Sequence, residues 1–342
     1  MLLSLVPSLV PGAAARAGEP AARVVVDQAG RKVTLTRPVK RIVSSFKPAT
    51  LDLFALGLGD RLVGVDLTSR QDPLHRALWP GIAELPNIAD ASRVLNLETV
   101  VGLKPDLVVL FAQAEGARTA DRLTSLGIPT VVILPESLAL VERSLQVIAA
   151  AVGEPERATR VVGIMHEALD LAAARVPPPG SPGRPRVYYA SPRGLLSTVS
   201  GRMMQDELIA RAGGVNVAHG LTGYFPLVSP EQVMAWNPQV VVVSAYLRVD
   251  WRQELRAGVW PQTAAVRAGR VVQFPSPLAP WDFPSPLAAL GALWLAGQLH
   301  PAALAGLDLP ARLADLHRRL FGRSPAELTA HAPAGSGEDG RP

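Results

Sequence analysis

Two glutamates, Glu98 and Glu231, occupy the same place in a pattern that this chain spells twice. The first copy runs Asn96-Leu97-Glu98-Thr99-Val100 and then Lys104-Pro105-Asp106-Leu107-Val108-Val109. The second runs Ser229-Pro230-Glu231-Gln232-Val233 and then Asn237-Pro238-Gln239-Val240-Val241-Val242. Matched positions are offset by 133 residues throughout. Each copy reads as an N-cap, a carboxylate in the first helical turn, one short helix, an X-Pro break and a buried strand. Pro230 adds a proline at the first helical position, and Gln232 stands where a capping box places its partner. A carboxylate there gains about 0.3–1 kcal/mol from the helix dipole, enough to retain one without any further role. Recurrence at one offset points further, to two similar α/β lobes that each display one acidic group.

Signals for bond-making chemistry are scarce. The histidines, at positions 75, 166, 219, 300, 317 and 331, form no His-x-x-x-His pair and no His-Glu-x-x-His zinc pattern. There is no Gly-x-Ser-x-Gly elbow and no Gly-x-x-x-x-Gly-Lys phosphate loop. Gly57 and Gly59 sit at a helix end and read as a C-cap. The chain has no cysteine, which excludes disulfides, thiolate metal sites and a lipid-attachment cysteine.

The elements that must position these groups alternate. At 342 residues, 48% hydrophobic and 18% charged, the chain is globular and long enough for two lobes. Its net charge of +5 is spread out, with no basic block that would mark a nucleic-acid partner. Residues 24–26 and 33–35 read as a hairpin. Strands are expected at 42–45, 62–65, 107–111 and 130–134, with helices between them, which implies a parallel sheet. Residues 154–176 carry Val161, Met165, Ala168 and Ala172 at helical spacing and would span roughly 35 Å. A proline-rich segment, 177–183, then opens a second lobe, with strands at 187–190, 240–242 and 271–274 and a helix from Met203 to Ala212. The layout predicts an N-terminal lobe over 23–153, an interlobe helix over 154–176, a C-terminal lobe over 177–323 and a disordered tail over 324–342. Residues 1–22 resemble an export signal, with small residues at Ala15-Arg16-Ala17. The longest apolar run, Leu287 to Leu299, is too short to span a membrane.

The order Arg41-Ile42-Val43-Ser44-Ser45, Leu53-Phe54-Ala55-Leu56-Gly57, Asp60-Arg61-Leu62-Val63-Gly64-Val65, with both repeat copies, Ala212-Gly213-Gly214-Val215-Asn216-Val217 and Val266-Arg267-Ala268-Gly269-Arg270-Val271, resembles the class III periplasmic binding proteins. These serve ATP-driven (ABC) importers of ferric siderophores, haem and cobalamin. The resemblance covers about residues 24–322. It implies two Rossmann-like lobes joined by a single long helix, a ligand between the lobes, a periplasmic monomer and no enzymatic activity. It also implies that Glu98 and Glu231 dock onto arginines of a membrane permease.

In such folds the ligand lies where strands end and helices begin. Phe46 and Lys47 follow the first strand, Gln113 follows the third, and Arg193 follows the first strand of the second lobe. Arg202 starts the next helix, Tyr224 lies in the following loop, and Tyr246 and Arg248 follow the strand of the second repeat copy. Trp281 and Asp282 lie in a proline-stiffened loop. Cations interleaved with aromatics suit a bulky anionic chelate of iron or cobalt. Phe46-Lys47 replaces the tyrosine or histidine that haem binders of this family carry, so haem ranks low. The expected cargo is a ferric siderophore, then cobalamin, with a molybdate-type oxyanion as the outside reading; no resident cofactor or metal ion is expected. A metallochelatase-like enzyme is the rival, with His75 and His219 as its loop histidines. A receptor that signals without transport would keep the fold without needing both docking glutamates.

Overall fold

A computed structural model describes residues 22–89, 94–112, 116–275 and 278–330. The expected export segment lies outside the described residues, apart from Ala22. The chain opens with an antiparallel hairpin of β1 (Arg23–Val26) and β2 (Lys32–Leu35). The Asp27 carboxylate accepts from the Ala29 and Arg31 amides inside its turn and from the Val132 amide beyond it, pinning the hairpin to the first lobe.

That lobe is built on β3 (Ile42–Ser44), β4 (Leu62–Val65), β5 (Leu107–Phe111) and β6 (Thr130–Ile133), parallel throughout, in the order β4-β3-β5-β6. The second lobe repeats the plan with β7 (Arg186–Ala190), β8 (Val215–Asn216), β9 (Val240–Val243) and β10 (Val271–Gln273), ordered β8-β7-β9-β10 and again parallel. The inner strands are almost uniformly buried, as a sheet covered by helices on both faces requires.

The sequence repeat is also a structural one. Helix Leu97–Gly102 is capped by Asn96, whose side chain accepts from the Thr99 amide at 3.0 Å. Helix Pro230–Trp236 is capped by Ser229, which accepts from the Gln232 amide at 3.2 Å. Each helix ends before a proline, and a residue in that position is disfavoured in the helical region. The chain turns through left-handed backbone at Lys104 (φ 47°) and Asn237 (φ 42°), matched positions of the two copies, and enters the third strand of its lobe.

The interlobe helix spans Pro155–Ala173, shorter than the expected 154–176 because Glu154 and Ala174 are its caps. It buries Ala158, Val161, Ile164, Met165, Ala168, Leu169 and Ala172 against helix Leu138–Val152 of the first lobe and helix Leu287–Leu299 of the second. One hydrophobic core runs without a break from the hairpin through both lobes to Leu328, and each lobe adds a smaller core on the other face of its sheet.

The expectation of a disordered tail from residue 324 is corrected for its first part. Helix Leu309–Phe321 and helix Pro325–Thr329 return to the first lobe and pack on helices Lys47–Ala55 and Pro73–Leu78. Ser324 and Glu327 form a capping box, Pro325 opens the helix and Leu328 is fully buried. The capping hydrogen bonds from Ser324 hold the Glu327 carboxyl down at about 2. Glu167 on the interlobe helix pairs with Arg312 and Arg319 of the returning segment. Polar loop residues concealed a short helix whose stability comes from one buried leucine and its caps. Residues 331–342 of the expected tail lie outside the described residues.

Candidate functional site

In both sheets the chain leaves the first strand in one direction and reaches the third in the other, so a crevice opens beyond the carboxyl ends of β3 and β5 and of β7 and β9. Open α/β sheets hold their ligands at such a switch point. Here the two crevices face each other and enclose a cleft of about 540 Å³. Phe46 and Phe111, from the ends of β3 and β5, stack with ring centroids 4.3 Å apart and planes 17° apart. Phe46 is the N-cap of helix Lys47–Ala55, in extended backbone, and Pro48 sits in the first turn, where a missing N–H costs nothing. Across the cleft stand Tyr246, just beyond β9, and Phe283, edge to face at 5.7 Å. The Arg193 guanidinium lies 5.3 Å from the Phe225 ring, a cation–π contact, and both residues line the cleft.

Asp282 forms a polar patch in the floor. One carboxylate oxygen accepts from Tyr189 Oη at 2.6 Å, Ser244 Oγ at 3.0 Å and the Ala245 amide at 3.1 Å. The other oxygen is buried and has no hydrogen-bond partner. Burial raises the Asp282 pKa, and the Tyr189, Ala245 and Ser244 donors oppose that rise. Burial chiefly, and the neighbouring carboxylate next, push the Tyr189 phenol well above its ordinary value, so it stays a donor. Gln205 holds the loop from behind by donating to the Asp282 carbonyl at 2.8 Å.

Lys47 serves a different end from the one its position suggested. Its ammonium pairs with Asp72 and donates to the Tyr246 hydroxyl at 3.0 Å. Burial works against that charge, yet the Asp72 carboxylate and Tyr246 outweigh it and raise the Lys47 pKa. Asp72 is fixed as the N-cap of helix Pro73–Leu78, accepting from the His75 amide at 3.0 Å. His75 is buried, which lowers its pKa, and its Nδ1 donates to the Ser69 carbonyl at 3.0 Å. It is a core histidine remote from any metal-ligating cluster, and no group of three or more such side chains exists among the described residues. His219 is exposed and pairs with Asp206.

Of the residues singled out from sequence, Phe46, Arg193, Tyr224, Tyr246 and Asp282 line the cleft. Trp281 is buried in the core beneath it, and Arg202 and Arg248 are exposed outside the lining. Gln113 lies outside the described residues. The cleft is therefore less basic than expected: among its described lining residues Arg193 is the cation, and Glu136 and Asp282 are carboxylates of the same lining. Phe111, Glu136, Tyr189, Phe225 and Phe283 join the site without having been singled out. Glu136 follows β6 and Phe111 ends β5, so strand order, once known, would have marked both.

Glu98 and Glu231 are exposed, each the second residue of its helix. β5 and β9 run toward the cleft, and the helix before each runs away from it. Both first turns therefore lie at the cleft end of their lobes. A hydrogen bond with Ser229 and its own amide hold the Glu231 carboxyl below the usual range.

A sequence profile described as "Periplasmic binding protein" matches residues 42–278. The chain belongs to the periplasmic binding protein family. Within it, a vitamin B12-binding protein of Yersinia pestis (strain Pestoides F) is 30% identical over 218 residues, covering 62% of this chain and 72% of that protein. The molybdate-binding protein MolA of Haemophilus influenzae is 26% identical over 324 residues, covering 87% of this chain and 91% of that one. A periplasmic solute-binding protein from Veillonella parvula has the same fold, with a TM-score of 0.77 over 91% of this chain and 96% of that chain at 21% identity. This is a family of binding proteins, and no helix among the described residues is long and apolar enough to cross a membrane.

Proposed function

We propose that this chain is the periplasmic receptor of an ABC importer and that its cargo is a cobalamin-type metal chelate. The observation that carries the choice is the lining of the cleft. Stacked and edge-on aromatics form its walls, and its lining holds one arginine against two carboxylates in number. An anionic ferric chelate calls for several cations, because an uncompensated anion in a partly desolvated site is costly. A large, largely neutral macrocycle with amide side chains gains apolar contact from the rings and finds an acceptor in Glu136. This reverses the order read from sequence, where Lys47, Arg202 and Arg248 counted toward the cleft. The Yersinia vitamin B12-binding relative supports the same choice. A tetrahedral oxyanion is far smaller than a 540 Å³ cleft and suits a denser set of donors. Exposed Glu98 and Glu231, one per lobe at the cleft end, supply the two anionic contacts for a permease.

Titration of intrinsic tryptophan fluorescence with cyanocobalamin, a ferric catecholate, a ferric hydroxamate and molybdate tests the assignment. Cyanocobalamin should bind with a Kd below about 10 μM. Tighter binding of either ferric chelate or of molybdate than of cyanocobalamin would remove the corrinoid reading.

A further inference from the structure

Two tyrosines of the second lobe line the cleft and also meet charged groups of the first lobe. Tyr246 accepts a hydrogen bond from Lys47 at 3.0 Å, and the Lys47 ammonium lies 5.5 Å from the centre of its ring. Tyr224, in the loop before the second repeat copy, lies close enough to Glu136 of the first lobe for that carboxylate to raise the pKa of its hydroxyl. We infer that these two pairs are clasps that hold the ligand-free lobes near a fixed separation, so that the empty cleft keeps its width.

The two contacts are built for that task in opposite senses. At one, the first lobe supplies a cation and the tyrosine accepts; at the other, it supplies a carboxylate beside the tyrosine hydroxyl. The first clasp is anchored on both sides. Lys47 is tied to Asp72, which caps a helix of its own lobe, and Tyr246 is braced by Phe283 and by its amide bond to Ser244 Oγ at 3.2 Å. A charge-assisted hydrogen bond in such a partly desolvated place is stronger than its surface counterpart. Burial and the Glu136 carboxylate push the Tyr224 hydroxyl up to about 12, so it remains a donor at ordinary pH. Both tyrosines present their rings to the cleft, so a ligand meets the side chains that set its width. The inference goes beyond the choice of cargo and does not depend on it, because the clasps act in the empty protein.

The chain lacks cysteine, so spin labels can be placed without background sites. Cysteines at exposed Ala117, in the first helical turn after β5, and exposed Val249, in the loop after β9, lie at the cleft ends of the two lobes and carry the labels. Pulsed dipolar spectroscopy on the ligand-free protein then reads the interlobe distance. Wild type should give one narrow distribution. The double variant Tyr224→Phe/Tyr246→Phe keeps both rings and removes both hydroxyls. Its mean should lengthen by about 2–4 Å with clear broadening, as expected of lobes freed to rock. Each single variant should fall between. A double-variant distribution that superimposes on wild type overturns the inference. Each substitution deletes one oxygen and leaves Lys47 paired with Asp72; far-ultraviolet circular dichroism and a single cooperative unfolding transition confirm that the lobes remain intact.

Discussion

Asp52 lies inside helix Lys47–Ala55, fully buried, with neither carboxylate oxygen hydrogen-bonded. Burial raises its pKa well above the ordinary carboxylate range. The folded protein therefore holds this proton over a pH range in which the unfolded chain has released it. Stability from such a group is complete below the unfolded pKa and is lost as pH rises toward the folded one. Asp52→Asn removes the titration with little change of shape. Urea unfolding at a series of pH values above 4 should show wild type losing stability relative to the variant as pH rises. A constant gap would mean that Asp52 is charged in the fold. Nothing in the sequence separates Asp52 from Asp60 on the surface, because burial is a product of packing. The same limit hid Phe111 and Phe225, since a phenylalanine in a cleft wall and one in a core are spelled alike. Trp281 erred the other way: its proline-flanked loop reads as exposed, and helix Leu287–Leu299 covers it.

That helix can approach because of Gly291. A methyl group there would lie 2.2 Å from the Trp281 carbonyl oxygen. Gly291→Ala gains up to about 1 kcal/mol of helix propensity. Overpacking of this kind costs about 1–3 kcal/mol, and the atom struck is backbone, so the clash should win. The variant should melt lower and bind ligand more weakly, because the displaced loop carries Asp282; unchanged melting and affinity would show that the loop moves freely. The paired short helices differ, since their glutamates face solvent. Glu98→Arg/Glu231→Arg should leave ligand affinity nearly unchanged and abolish uptake in reconstituted vesicles with the cognate importer, by setting like charges against the permease. Wild-type uptake would reduce both residues to helix-start carboxylates. Elements of this kind were legible, because caps, X-Pro breaks and apolar runs are local signals. Strand order, and with it the membership of the cleft wall, arises from contacts between segments far apart in sequence.

At the scale of the molecule, the lobes share more than one helix. The core is continuous across them, and residues 309–330 leave the second lobe to cover helices of the first. Arg160 of the interlobe helix fastens that return by donating to the Arg319 carbonyl at 2.7 Å. A chain ending at residue 308 should lose hydrogen-exchange protection first in helices Lys47–Ala55 and Pro73–Leu78, in the lobe more distant in sequence. Loss confined to the second lobe would contradict this packing. The return path also sets a timetable for synthesis. A ribosome releases the first lobe's strands early, but the segment that seals them emerges only after the strands of both lobes. Until then the nascent chain keeps apolar flanks of its oldest portion uncovered, a task for holding chaperones. For a member of a periplasmic family the delay has a use: a polypeptide not yet locked into its tertiary structure can still be threaded through a membrane pore.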